Sequence, residues 1–317
     1  MARNLKVVYM GTPDFAVESL DAICQAGYDV VGVVTVPDRQ TGRGLKVTYS
    51  PVKEYALAHN LPLLQPEKLR SEEFLEALRG WGADIFVVVA FRMLPQCVWA
   101  MPRLGTFNLH GSLLPQYRGA APINWAVING EKETGITTFL LNEKIDEGRI
   151  LLQAKTPISP DDTAETVHDR LAQMGRDLVV RTLDGLEAGS LQPMAQPDCG
   201  ELKPAPKIFK SDCAIRWERD GESLCNFVRG LSSYPAATMQ MTDQQGRVQQ
   251  FKVFEVSHEI DQKSVVGEVV TDSKNYLKIG VGDGYLNILS LQISGKRRNK
   301  VQEFLRGYDV SGWKIVR

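Results

Sequence analysis

DIFVVVA (84–90) is an unbroken β-branched and aromatic run. A strand with one wet face alternates apolar and polar residues, whereas a strand covered on both faces reads continuously. Both faces are covered when helices flank a parallel sheet, so this stretch points to α/β architecture. The same signal recurs to either side of it. LKVVYM (5–10) is a short apolar run closed by the turn GTPD, and DVVGVVT (29–35) is another nearly continuous one. Between them Phe15, Leu20, Ile23 and Cys24 repeat at helical spacing over 15–26. EYALAHN (54–60) and SEEFLEALRGWG (71–82) read as helices. GTFNLH (105–110), ITTFLLN (136–142) and ILLQAKTPI (150–158) read as strands, followed by a helix over 163–188. Strands separated by helices predict a Rossmann-like, mainly parallel sheet over 1–189.

The composition changes beyond that point. GSLQPMAQPDCGELKPAPKIFK (189–210) holds four prolines and few large apolar residues, which predicts a linker over 190–209. One helix near 220–231 is followed by short strand-like pieces: ATMQMT, RVQQFKVFEVS, VVGEVV, YLKIGV and YLNILSLQI. Many short strands divided by glycine turns predict a small, OB-like β-barrel over 210–317. A length of 317 residues suits two such domains.

No run approaches the roughly 18–20 apolar residues of a membrane span. The opening MARNLKVVYMGTPDF lacks the small-residue cleavage site of a signal peptide, so a cytoplasmic protein is expected. The five cysteines are scattered without a CxxC pair, so neither a disulfide framework nor a metal site is expected. Residues 1–202 carry 19 Lys and Arg against 25 Asp and Glu, and 203–317 carry 18 against 13. An acidic front and a basic back suit a catalytic domain joined to a module that meets a polyanion, although chance asymmetry gives the same count.

The chemistry concentrates in NLHGSLLPQYRGAAPINWAV (108–127). Asn108 and His110 lie two apart at the end of an expected strand, so their side chains project to the same side. They stand near its carboxyl end, where open parallel sheets place their ligands. An amide beside an imidazole can hydrogen-bond a developing oxyanion, and the imidazole can carry a proton. Gly111 allows a tight turn or close approach of a ligand. A second segment, LNEKIDEGRILLQ (141–153), sets Asp146 before Glu147 and Gly148 between two strands. A carboxylate there can orient an imidazole or manage the proton of an attacking amine. Taken alone, His110 reads first as a satisfied structural histidine and Asp146 as an ordinary turn aspartate.

Together these segments resemble the formyltransferase family that uses 10-formyltetrahydrofolate. That family carries an Asn-x-His-x-Ser-Leu-Leu-Pro segment and a distant Asp-x-Gly, matched here by Asn108, His110 and Asp146. GTPDFAVESLDAI, VPDRQTGRGLKVTYSPVKEYA (36–56), PKIFKSDCAIRW (206–217) and GDGYLNILSLQISGKRRNKVQEFLRG (282–307) extend the likeness over nearly the whole chain, and to the branch acting on initiator tRNA. The resemblance implies direct transfer of formyl from 10-formyltetrahydrofolate to the amino group of methionine on that tRNA, by a monomer without metal. Asn108 would hold the formyl oxygen, His110 would stabilise the oxyanion, and Asp146 would orient His110 or manage the amine proton.

The resemblance also implies that Ser112, Leu113, Leu114 and Pro115 line the folate site. Phe91 and Arg92 would lie beside the pterin. Many relatives have Ala-Tyr-Gly where this chain reads Ala90-Phe91-Arg92, which changes the rim of that pocket. The insertion containing Arg39, Arg43 and Lys46 would enter the acceptor end of the tRNA. Lys207, Lys210, Lys296, Arg297 and Arg298 would meet its phosphates, which attract cations without reading sequence. Two formyl-chemistry alternatives remain open: transfer to an amino-sugar nucleotide, and hydrolysis of the formyl-folate. A non-catalytic RNA-binding module would not need the Asn108, His110 and Asp146 set. GTPDFA is not a GxGxxG fingerprint, and no GxSxG elbow is present.

Overall fold

The computed structural model describes residues 3–41 and 46–316, with only the main chain described for Gln40, Thr41 and Lys46. The chain forms two compact units. One gathers residues up to Pro122 with Thr134–Thr156 and His168–Pro204; the other gathers Ile123–Glu133, Pro157–Val167 and the chain from Ala205 onward.

The first unit is built on β1 (Lys6–Gly11), β2 (Asp29–Val34), β5 (Leu63–Leu64), β6 (Ile85–Val89), β7 (Thr106–His110), β8 (Glu133–Leu140) and β9 (Ile150–Pro157). The short strands β3 (Arg39–Thr41) and β4 (Lys46–Thr48) form a separate antiparallel pair. The sheet order is β5-β2-β1-β6-β7-β8-β9. Strands β5, β2, β1, β6 and β7 are parallel, and β8 turns antiparallel against β7. The chain works outward from β1 to one side, then returns to β6 on the other. Such a reversal opens a crevice at the carboxyl ends of the strands, and β7 ends there at His110.

Strand β6, the continuous run of the sequence, is buried at every position. On one face Val8, Met10, Phe86 and Val88 pack with Phe74, Leu75 and Leu78 of α3 (Glu72–Gly80) and with Leu94 and Val98. Each such fully buried side chain contributes about 1.5–3 kcal/mol relative to exposure. The helices begin where local chemistry allows. Helix α1 (Asp14–Gln25) follows Pro13, and Ser50 caps α2 (Pro51–Ala58) by accepting the Lys53 N–H, with Pro51 at the first helical position. Helices α4 (Gln96–Trp99), α5 (Pro122–Ile128) and the long α6 (Ala164–Glu187) complete the series before residue 190. Tyr9 is fully buried, and its hydroxyl donates to the Ala16 carbonyl at 2.6 Å, which explains a polar tip inside a core strand.

In the second unit an antiparallel, barrel-like sheet runs in the order β12 (Val269–Thr271), β13 (Leu277–Val281), β14 (Gly284–Ile293), β11 (Val248–Ile260), β10 (Ala237–Thr242) and β16 (Lys314–Ile315). Strand β15 (Asn299–Lys300) pairs with β14. Asp220 caps α7 (Gly221–Leu231), whose Leu224, Val228 and Leu231 share a core with Met239, Phe251 and Ile288. Phe304 of α8 (Val301–Leu305) meets Phe251 edge-on at 5.7 Å. No helix among the described residues is long and apolar enough to cross a membrane.

Candidate active site

Strand β7 delivers two of the three expected chemical groups. Its register places Asn108 beside Val88 of β6 and Phe139 of β8, and His110 beside Thr137. The His110 ring is 6% exposed and meets Phe139 edge-on. Its Nε2–H donates to the Tyr117 carbonyl at 2.9 Å, which leaves Nδ1 as the ring edge toward Asp146. Asp146 Oδ2 lies 3.9 Å from Nδ1, inside ion-pair range but beyond a direct hydrogen bond. The structure therefore brings together two residues 36 positions apart in the chain. Asn108 Oδ1 is buried without a hydrogen-bond partner. An orphaned acceptor costs roughly 1–3 kcal/mol. Such a cost is typically tolerated where a ligand supplies the missing partner.

Three non-glycine residues around these groups have left-handed backbone: Ala90 at φ 47°, Tyr117 at φ 59° and Asp146 at φ 54°. Each costs on the order of 1–3 kcal/mol and persists only where neighbours over-determine it. At Asp146 those neighbours are visible. The Gly119 N–H donates to Asp146 Oδ2 at 2.9 Å, from a backbone at φ 127° that suits glycine. Gln196 Nε2 donates to the carbonyls of Asp146 and Gly148, at 2.7 and 2.9 Å. At Gly148 an added Cβ would lie 1.6 Å from the Leu140 carbonyl oxygen. Gly148→Ala is therefore expected to spread the 141–149 turn, at about 1–3 kcal/mol of stability, and to remove most turnover. Thermal melting together with a turnover assay checks it; an unchanged midpoint with unchanged turnover is the adverse result.

The segment after His110 is wired internally. Ser112 Oγ donates to the Gln116 carbonyl, and Thr137 Oγ1 donates to the Ser112 carbonyl while accepting from Leu114 N–H. Gln153 Nε2 donates to the Leu114 carbonyl. Ser112, Leu114 and Pro115 are buried, and Leu114 packs with Phe139 and Ile150. Leu113 is the half-buried member of the four. Phe91 is half-buried against the α3 core. Arg92 does not reach outward: its guanidinium donates to the carbonyls of Pro66 and Glu67 at 2.6 and 3.1 Å. Burial, and next the like charge of Arg39, lower its proton affinity.

The expected RNA-facing cations divide by environment. Arg39 is exposed on β3, and the pair β3–β4 is footed by Lys53 Nζ on Asp38 at 2.6 Å. Arg43 lies outside the described residues, and of Lys46 only the main chain is described. Lys207 and Lys210 are exposed, the former over the Phe209 ring. Lys296 and Arg297 rim a cavity of about 260 Å³ whose apolar wall includes Ile293, Phe304 and Tyr308. Arg298 already pairs with Glu255 at 2.5 Å, donates to Ser290 and covers the Phe254 ring. The sequence reading missed Tyr117, Thr137, Gln153 and Gln196; Tyr117 and Gln153 lie within the segments 108–127 and 141–153, but their residue types and spacing gave no sign of these contacts.

The formyl transferase family profile matches residues 4–183, and the formyl transferase C-terminal domain profile matches 207–309. A methionyl-tRNA formyltransferase of Bacteroides thetaiotaomicron is 55% identical over 317 residues, covering 98% of each chain. Among solved structures, the sugar 3N-formyl transferase WlaRD superposes with a TM-score of 0.64 at 19% identity, over 92% of this chain and 99% of its own. HypX from Aquifex aeolicus in complex with tetrahydrofolic acid superposes at 0.63 and 18% identity, over 99% of this chain and 51% of its own. At such identities the structural likeness speaks for the fold.

Proposed function

The chain belongs to the formyl transferase family, and from that premise we propose that it transfers the formyl group of 10-formyltetrahydrofolate to the amino group of methionine carried on initiator tRNA. The observation that carries the reading is the convergence of Asp146 on the Nδ1 edge of His110, with the unpartnered Oδ1 of Asn108 two residues back on the same strand. Formyl transfer to an amine needs three services at one carbon: a donor for the oxygen, an acceptor for an amine proton, and a charge to balance what develops.

In this reading the Asn108 amide serves twice. Its N–H group holds the formyl oxygen, and its orphaned Oδ1 accepts an N–H of the incoming amine, which orients the nitrogen lone pair at the carbon. His110 cannot offer Nε2, which Tyr117 holds, so Nδ1 faces the reacting atoms. Its lone pair takes the proton that the attacking nitrogen releases; as the resulting N–H it stabilises the oxyanion, and it returns that proton to the folate nitrogen as the bond from the formyl carbon to folate breaks, leaving the N-formyl product and tetrahydrofolate. Asp146 at 3.9 Å balances the imidazolium charge through space. The main chain of 112–115 and Leu113 would border the folate, since the other side chains there face inward. We assign catalysis to residues 1–189, a connection to 190–209 and RNA contact to 210–317, together with Arg39, Arg43, Lys46 and Lys207.

The deciding assay offers formyl-folate with charged initiator methionyl-tRNA, charged elongator methionyl-tRNA and an amino-sugar nucleotide. Rapid formylation of the first and slow formylation of the others is expected. Preference for the sugar nucleotide, or release of free formate without an acceptor, overturns the reading.

A further inference from the structure

We propose that Gln196, in the proline-rich stretch after α6, is a positioning residue that holds Asp146 against His110; the inference rests on the formyl-transfer reading. Its side-chain amide is fully engaged. Oε1 accepts from both Nε and Nη2 of Arg118, at 3.1 and 2.7 Å, so the carbonyl end of the amide is fixed on that side. Nε2 then donates both its hydrogens, to the Asp146 and Gly148 carbonyls. Arg118 in turn lies 3.3 Å from Glu147, and the next N–H along, from Gly119, binds the Asp146 carboxylate itself. Residues 118–119 and 196 therefore grip the 146–148 turn from its side chains and its main chain at once. Asp146 benefits from that grip, because its backbone is left-handed, a conformation that aspartate tolerates better than most residues but that still costs energy outside glycine.

The same stretch supports the histidine. Met194 exchanges two main-chain hydrogen bonds with Ile150, at 2.8 and 2.9 Å, just beyond the turn. Further on, the Lys203 carbonyl accepts the Tyr117 N–H at 2.7 Å, and its N–H donates to Gln116 Oε1. Tyr117 is the residue whose carbonyl holds His110 Nε2. Residues 194–203 thus brace the carboxylate through Gln196 and the imidazole through Tyr117. Of these contacts only the one at Gln196 is made by a side chain of the strap to the turn bearing Asp146, so it is the one substitution can reach.

Two replacements separate positioning from simple packing. Gln196→Met keeps the shape and removes all four hydrogen bonds. Gln196→Glu keeps an acceptor for Arg118 but turns carboxylate oxygens on the two carbonyls. With charged initiator tRNA and formyl-folate, both variants are expected to lose about 10–100-fold in kcat. KM for each substrate should stay within about threefold, since misplacement of a reacting group removes transition-state rather than uniform binding. In an Asp146→Asn background Gln196→Met is expected to cost less than about threefold, because residues acting as a unit are not additive. Wild-type kcat in Gln196→Glu overturns the proposal. So does a full penalty for Gln196→Met in the Asp146→Asn background. Should Gln196→Met fold poorly, Gln196→Glu alone decides. A wild-type protein that transfers no formyl group condemns the functional reading instead, before any variant is compared.

Discussion

Asn108→Ala lowers kcat by about 10²–10³ with the fold intact; this is the loss expected when one oxyanion donor is removed from a preorganised site. The prediction is sharp because the side chain does little else. Strand β7 is held by main-chain pairing to β6 and β8, which the substitution leaves alone. The Asn108 Oδ1 has no partner to lose, so its removal deletes an orphaned acceptor. His110→Ala should cost at least as much in kcat, but it also strips the donor from the buried Tyr117 carbonyl and should lower the melting midpoint. Comparing both variants by steady-state transfer and thermal melting separates chemistry from stability. Near-normal turnover in Asn108→Ala would remove the assignment of the strand's amide to the formyl oxygen.

The second large effect is a fall of about 10³ in kcat/KM for tRNA between roughly 50 and 200 mM salt, as expected for about six phosphate contacts. Eight cations are assigned to the RNA. Arg298 is already paired with Glu255, so fewer than eight are expected to count. Lys296 and Arg297 are exposed side by side at their cavity rim. Replacing both with alanine should reduce the logarithmic salt slope by about two. The KM for formyl-folate should move far less over the same range, which controls for general salt effects. A flat tRNA response would show that phosphate neutralisation is not how the acceptor is held.

The architecture was legible because it rests on short-range periodicity. Continuous apolar runs became β2 and β6, and the helical spacing of Phe74, Leu75 and Leu78 became the core face of α3. The pairing of Asn108 with His110 was equally local, since alternation along a strand needs no partner to define it. The β3–β4 pair was not foreseen. Arg-Gln-Thr and Lys-Val-Thr alternate too briefly to stand out from a polar loop.

The supports of the site lay beyond such reading. Gln196 sits among prolines and small polar residues, where composition suggests only a connection. Its role comes from meeting Arg118 and the 146–148 turn, at sequence separations of 78, 50 and 48. Arg92 likewise reads as a charge at a pocket rim, yet it turns onto the carbonyls of Pro66 and Glu67.

Sequence by itself determined which chemical groups this protein carries, the strands that present them and the family whose chemistry they match. Tertiary structure alone decided which nitrogen of His110 binds the Tyr117 carbonyl, how near Asp146 comes to the other, and what holds each there. The reason is physical: strand and helix periodicity is written in neighbouring residues, whereas a hydrogen bond across dozens of positions exists only once the backbone has brought its two ends within 3 Å.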